Sequence, residues 1–237
     1  LDAEDTSTRF TPWVPRITPR RRGVKSAADW LPGAKSALVF GLRFHERVLR
    51  FAAKPPAEAV GPYAFQTYVT NWIGAIIGCQ VVKRLEALGY RAVIVNDLSD
   101  TDSETANPRG PQPDLFSNRF AGLAAGLGRL TVSGHLATPQ FGIRQRLIAV
   151  VTDAPLTASP LSPSGQPEAC AACSRPCVSR CPSQAITPQV AQLECEDHQY
   201  AFNRIDGKRC DWVKRYVLMG ESGFKYLGSR TDILAPE

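Results

Sequence analysis

The run Cys170-Ala-Ala-Cys173-Ser-Arg-Pro-Cys177-Val-Ser-Arg-Cys181-Pro182 constrains this chain more than any other feature. Two thiolates separated by two residues can both turn toward one metal, because the intervening backbone makes a tight turn. A third Cys on the same loop and a Cys-Pro after three more residues give the arrangement of a bacterial [4Fe–4S] site. The usual run has two residues between the second and third Cys; here there are three, Ser174, Arg175 and Pro176. A cluster corner tolerates that extra residue better than a single tetrahedral ion does. A four-thiolate zinc site is the alternative, and unpaired thiols are a further one. Cys170, Cys173, Cys177 and Cys181 are the candidate ligands, with Cys195 or Cys210 able to replace Cys181 as the fourth. Disulfide scaffolds are typically short and secreted, so six cysteines confined to the last third point to metal instead. The seventh, Cys79, stands in an apolar helical stretch and is expected to be a small buried hydrophobe.

Ahead of this loop the pattern is that of a mixed α/β or α+β protein. Lys35 to Leu42 is a short apolar run interrupted by Gly41, as a buried strand would be. Residues 64–88 are expected to be helical, with Ile73, Ile76, Ile77, Val81, Leu85 and Leu88 at helical spacing and Gly89 as C-terminal cap. Arg91 to Asn96 gives a second strand, and Gln145–Asp153 a third. Between them lie a polar, proline-punctuated loop over 98–114 and a helix from Phe116 to Leu127, closed by Gly126 and Gly128. Four prolines and several serines over 154–169 suggest a linker. The expected division is an extended basic arm at 1–34, an α/β core at 35–156, and an iron–sulfur lobe with a C-terminal tail at 157–237.

Arg16, Arg20, Arg21, Arg22 and Lys25 carry part of the formal charge of +6. Aromatic residues are not interleaved with them as a single-strand binder requires, so an arm wrapping its own domain is preferred over a nucleic-acid contact. The longest apolar stretch, Ile73 to Val82, is too short to cross a bilayer, which takes about 20 residues.

Several linked motifs carry a resemblance. Ala121-Gly-Leu-Ala-Ala-Gly-Leu-Gly128 is followed by Thr138-Pro-Gln-Phe141-Gly-Ile-Arg144-Gln-Arg146 and Val151-Thr-Asp-Ala-Pro-Leu156, which leads into the cysteines. This order resembles the corrinoid- and iron–sulfur-dependent reductases that include reductive dehalogenases and epoxyqueuosine reductases. The resemblance spans residues 35–215 and is sharp over 116–186. It implies a nitroreductase-like mixed sheet flanked by helices, a C-terminal ferredoxin-like lobe, a cobalamin in the core, and an electron donor such as ferredoxin or flavodoxin. Gly126, Gly128 and Phe141 would border the corrinoid, since glycine lets backbone approach a flat ligand closely. Arg144 and Arg146 would meet its phosphate or amide tail. The alternative is that the glycines cap a helix and the arginines make ordinary salt bridges.

The departures shape the functional expectation. Family members complete two clusters with a second cysteine motif, but Gly220 to Gly228 contains no Cys. Six cysteines therefore imply one cluster. Counting back from Gly128 puts the family's acidic proton donor near Gln112, which makes Asp114 a candidate acid. A cap for the helix beginning near Phe116 is its alternative role. His135, between two of the motifs, is the histidine chosen as a second catalytic candidate. The expectation is a cytoplasmic iron–sulfur oxidoreductase passing electrons from a [4Fe–4S] cluster to a corrinoid or substrate. A non-catalytic electron-transfer or assembly subunit of a larger redox complex is the alternative.

Overall fold

The structure, a computed structural model, describes residues 16–17, 24–52, 57–95, 105–107, 110–111, 116–181, 184–206 and 209 of the 237-residue chain. Asp114, Cys210 and Arg20 to Arg22 lie outside the described residues. The strands that position the site are β1 (Ser36–Arg43), β2 (Ala92–Val95), β3 (Arg129–Leu130), β4 (Leu136–Ala137), β5 (Gln145–Thr152), β6 (Ile186–Cys195) and β7 (His198–Ile205). The helices are α1 (Ala27–Trp30), α2 (Glu46–Ala52), α3 (Ala57–Ala87), α4 (Asn118–Ala124), α5 (Glu168–Ala171) and α6 (Pro176–Ser179). Arg16–Ile17, Thr105–Asn107 and Gly110–Pro111 form a separate small sheet. The result is a mixed α+β fold.

The apolar run Leu147 to Val151 becomes the centre of the main sheet. β5 lies between β1 and β2 and runs antiparallel to both, from Ser36 opposite Thr152 to Arg43 opposite Gln145. A strand covered on both faces has no polar side, which is why its sequence is a continuous apolar run rather than an alternation. Val150 packs with Val81, Val82 and Leu85 of α3. Ala149 and Val151 point the other way, to Ala27, Trp30 and Leu31.

α3 approaches the sheet through small residues. Thr70, Gly74, Gly78 and Leu85 are buried at helical spacing, and a side chain at Gly74 would overlap Ile148. Cys79 is exposed, contrary to expectation, because it sits one residue off this buried face. Ile73, Ile76 and Ile77 are exposed for the same reason. The helix begins before the expected residue 64, and Gly89 ends the turn at φ +87° as expected.

Two further corrections concern local structure. The arm expected to be extended contains α1, because Ser26 and Asp29 cap it reciprocally: the Ser26 N–H donates to the Asp29 carboxylate at 2.8 Å and the Asp29 N–H to Ser26 Oγ at 3.3 Å. The cap of α4 is Ser117, whose Oγ accepts the Phe120 N–H at 3.4 Å, rather than Asp114.

The segment after β5 is not a loose tether. The Ser162 N–H donates to the Leu123 carbonyl at 3.2 Å, and Ser162 is buried. After the cysteine loop, β6 and β7 form an antiparallel hairpin. Its Leu193, Cys195, Tyr200 and Phe202 join Leu123, Leu130 and Leu136 in one hydrophobic cluster. Among the described residues no helix is long and apolar enough to cross a membrane.

Candidate functional site

The cysteine loop is built from two single helical turns. Cys170 lies in α5, Cys173 just beyond it, Cys177 in α6, and Cys181 just beyond that. Cys173 and Cys177 are exposed, while Cys170 and Cys181 are half-buried. The extra spacer residue has a visible role. Arg175 adopts left-handed backbone (φ 57°, ψ 50°) immediately before Pro176 starts α6. That conformation costs about 1 kcal/mol or more for a residue other than glycine. Gln184, just after the loop, is also left-handed at φ 51°.

Cys170, Cys173 and Cys177 enter no disulfide. Among the described residues no three His, Cys, Asp or Glu side chains come together as a metal site. The donor set nonetheless matches an iron–sulfur cluster in its chemistry: four cysteines within twelve residues, of which Cys170, Cys173 and Cys177 enter no disulfide. Cys195 is half-buried at the tip of the β6–β7 hairpin, packed on the hydrophobic cluster around Tyr200. Burial of Tyr200, with Cys195 beside it, raises that phenol above its usual pKa.

The glycines of the turn after α4 face protein. Gly126 has φ +73°, and the Leu127 N–H donates back to the Gly122 carbonyl at 3.0 Å, closing the helix. A side chain at Gly126 would strike the Pro160 carbonyl, and one at Gly128 the Ala137 carbonyl. The close approach these glycines permit is therefore that of backbone to backbone.

The segment 138–146 is a tight loop. The Thr138 and Gly142 backbones exchange hydrogen bonds at 3.1 and 2.9 Å, and Thr138 Oγ1 donates to Gln145 Oε1 at 3.2 Å. Phe141 is half-buried on this loop, and Arg144 is exposed. The Arg144 carbonyl accepts the Phe44 N–H at 2.9 Å, which extends the β1–β5 pairing. Arg146 is half-buried, and its Nε is buried without a partner.

His135 and Arg146 do come together. They line a cavity of about 50 Å³ with Asn118, Arg119, Ile143 and Gln145. Sequence reasoning missed Asn118 and Arg119; their place at the start of α4, directly before the resembling motif, was the available signal. Arg119 Nη1 donates to the Gly134 carbonyl at 2.7 Å, and its guanidinium lies 4.4 Å from the centre of the Phe120 ring.

The hydrogen bonds around His135 favour one tautomer. Its Nδ1 lies 3.0 Å from Ser133 Oγ, which lies 3.1 Å from Thr131 Oγ1, which donates to the His135 carbonyl at 3.1 Å. Thr131 Oγ1 also accepts the His135 N–H. Each hydroxyl has one hydrogen. The order that supplies every contact runs from Nδ1–H to Ser133, from Ser133 to Thr131, and from Thr131 to the carbonyl. In that order neutral His135 carries its proton on Nδ1.

Comparison with solved structures places this architecture. The chain matches a catabolic reductive dehalogenase, NpRdhA, in complex with 3-bromo-4-hydroxybenzoic acid, with a TM-score of 0.55 and 19% identity over 76% of this chain. A reductive dehalogenase structure described for B12-dependent dehalogenation matches equally, at 0.55 and 19%. The likeness is one of fold. The chain spans about a quarter of the length of these structures, 23% of each. Comparison with family models and with curated proteins yields no match.

Proposed function

We propose that this chain is an iron–sulfur redox module of the reductive-dehalogenase type. Cys170, Cys173, Cys177 and Cys181 would hold one [4Fe–4S] cluster, which supplies one-electron transfer when bound. The observation that carries the reading is the set of four thiols on one loop, behind a fold shared with B12-dependent reductive dehalogenases. The left-handed Arg175 supports it, because strained backbone of this kind gathers at functional loops. Exposed Cys173 and Cys177 put the loop within reach of an external donor such as ferredoxin or flavodoxin. A reduced thiol set of this kind belongs in the cytoplasm.

A corrinoid does not fit the cavity beside His135 and Arg146, which at about 50 Å³ takes only a few atoms. Half-buried Phe141 and exposed Arg144, on the 138–146 loop, are the residues that would meet such a macrocycle. A larger open groove, about 910 Å³, lies between the end of β1, α2 and α3, and touches none of these residues. The small cavity favours the second reading, an electron-transfer or assembly subunit of a larger complex. His135, and Asp114 as proton donor, have a catalytic role only under the first reading.

Anaerobic reconstitution with iron and sulfide tests the proposal. Broad absorbance at about 400 nm that bleaches with dithionite, with about four irons per chain, is expected. Loss of both in Cys173→Ser supports the ligand set, whereas colourless, iron-free protein or full retention in the variant overturns it. Corrin bands after incubation with cobalamin would select the enzyme over the electron carrier.

A further inference from the structure

We propose that the cavity between α4, β4 and β5 binds a phosphate-like oxyanion through Arg119 and Arg146, with Asn118 accepting a hydrogen from the ligand. The proposal stands apart from the iron–sulfur reading and does not require a cluster or a corrinoid.

Charge is the first argument. Among the described residues that line the cavity, two carry guanidinium groups and none a carboxylate. The Nε of Arg119 and the Nε of Arg146 are both buried and lack any partner. Among the described residues neither arginine is in a salt bridge. Arg119 is held by a neutral carbonyl and by the faces of Phe120 and Phe202, and the Arg146 side chain has no hydrogen bond. A half-buried guanidinium without a counter-charge leaves its charge uncompensated, and an anion in the cavity would compensate it.

Asn118 narrows the chemistry. It is only 2% exposed, and its amide hydrogens go to the Val95 carbonyl at 3.4 Å and the Leu147 carbonyl at 3.1 Å. Those two bonds fix the amide, and leave Oδ1 as a buried acceptor with no partner. Gln145 does not satisfy it, since its Nε2 is committed to the Gly142 and Leu136 carbonyls. An acceptor beside an anion needs a hydrogen carried by the ligand itself. Hydrogenphosphate has both the oxygens for the arginines and the P–OH for Asn118; sulfate and acetate at neutral pH have no such hydrogen.

Size agrees. A water needs about 10–15 Å³ of such space, so a cavity of about 50 Å³ takes one tetrahedral oxyanion. The ligand is inorganic phosphate or the terminal phosphate of a monoester whose remainder lies outside.

Calorimetric titration of the full chain with inorganic phosphate, phenyl phosphate and sulfate is the test. Saturable one-to-one phosphate binding is expected, at least several-fold tighter than sulfate. It should weaken ten-fold or more in Arg146→Gln and stay unchanged in Arg144→Gln, which removes an exposed charge two residues away. Tighter phenyl phosphate binding identifies a monoester, and tighter inorganic phosphate the free ion. No saturable phosphate binding would mean the cavity holds only water and would overturn the proposal. Equal loss in both arginine variants would show general charge attraction and overturn it too, and sulfate binding as well as phosphate would overturn the role of Asn118. Should Arg146→Gln fail to fold, Arg146→Lys keeps the charge, lacks Nε, and is expected to show the same loss.

Discussion

The Tyr200 hydroxyl donates to the Ser162 carbonyl at 2.6 Å, and both residues are buried. Ser162 precedes the cysteine loop and Tyr200 follows it, so this bond ties the two ends of the loop's flanking segments to one place. The Ser162 N–H on Leu123 and the Asn203 N–H on the Val132 carbonyl, at 2.8 Å, fasten the same ends to the core. An exposed loop of two helical turns with little core of its own is held by such anchors rather than by internal packing.

Tyr200→Phe should therefore lower stability by about 1–2 kcal/mol, because the buried Ser162 carbonyl loses its donor. Urea denaturation gives the value. Reconstituted iron content should stay close to that of the parent, since no ligand changes; a large loss of iron would mean that the anchor also sets the loop's shape.

Removing the metal tests the same relationship from the other side. If the four thiols hold a cluster, chelation under anaerobic conditions should increase proteolysis within 168–181 while leaving the β1–β5–β2 sheet protected against hydrogen exchange. The sheet's core is made by Val95, Ala149, Val150 and Val151, none of which belongs to the loop.

The central strand was legible because burial on both faces writes itself as an unbroken apolar run, and Leu147 to Val151 is one. The hairpin 186–205 was not foreseen: Gln192, Glu194 and Gln199 alternate with inward-facing neighbours, but Pro188 and exposed Val190 interrupt the first half of β6, and the turn, Glu196-Asp197, lacks glycine although Glu196 is left-handed at φ 54°. The stripe on α3 was half-legible: helical spacing was plain, but the face that touches the sheet is marked by Gly74 and Gly78, which hydrophobicity does not register. At the site, the cysteines and Arg146 stood out by type and motif. Asn118 and Arg119 gain their meaning from neighbours distant in sequence, Val95, Gly134 and Leu147, and no local pattern announces that.

Gly128→Ala should cost about 3 kcal/mol or prevent folding, because the added methyl meets the Ala137 backbone carbonyl, which cannot rotate away. Gly142→Ala is the contrasting case. Nothing lies within 4 Å of its missing Cβ, and φ is +56°, so only the left-handed conformation is penalised, by about 1 kcal/mol. Equal effects in thermal denaturation would contradict the close packing of β3 on β4.

Stability should also fall with acid through Asp153. Its carboxylate accepts the Arg91 Nε and Arg91 N–H bonds at 2.8 Å each, and these hold its pKa below the ordinary carboxylate value. A lowered folded-state pKa means that the contribution is complete above the unfolded value of about 3.9 and is lost as pH falls through the folded one. Asp153→Asn should be less stable than the parent at pH 7, with the difference shrinking below about pH 4. A difference that grows in acid would show that Arg91 does not stabilise the ionised form.

The tautomer of His135 gives the last test. Long-range proton–nitrogen correlation distinguishes a neutral ring protonated on Nδ1 from one protonated on Nε2 by nitrogen shift. The parent should show the proton on Nδ1, because only that order places a hydrogen in each of the three contacts from Nδ1 to Ser133, from Ser133 to Thr131 and from Thr131 Oγ1 to the carbonyl. Ser133→Ala removes the acceptor for Nδ1–H and should move the population toward Nε2–H. Ser133→Thr keeps an acceptor and should restore the parent pattern. A parent ring already protonated on Nε2 would reverse the direction of the whole chain, with Thr131 donating to Ser133 and Ser133 to Nδ1, and would make Nδ1 an acceptor rather than a donor.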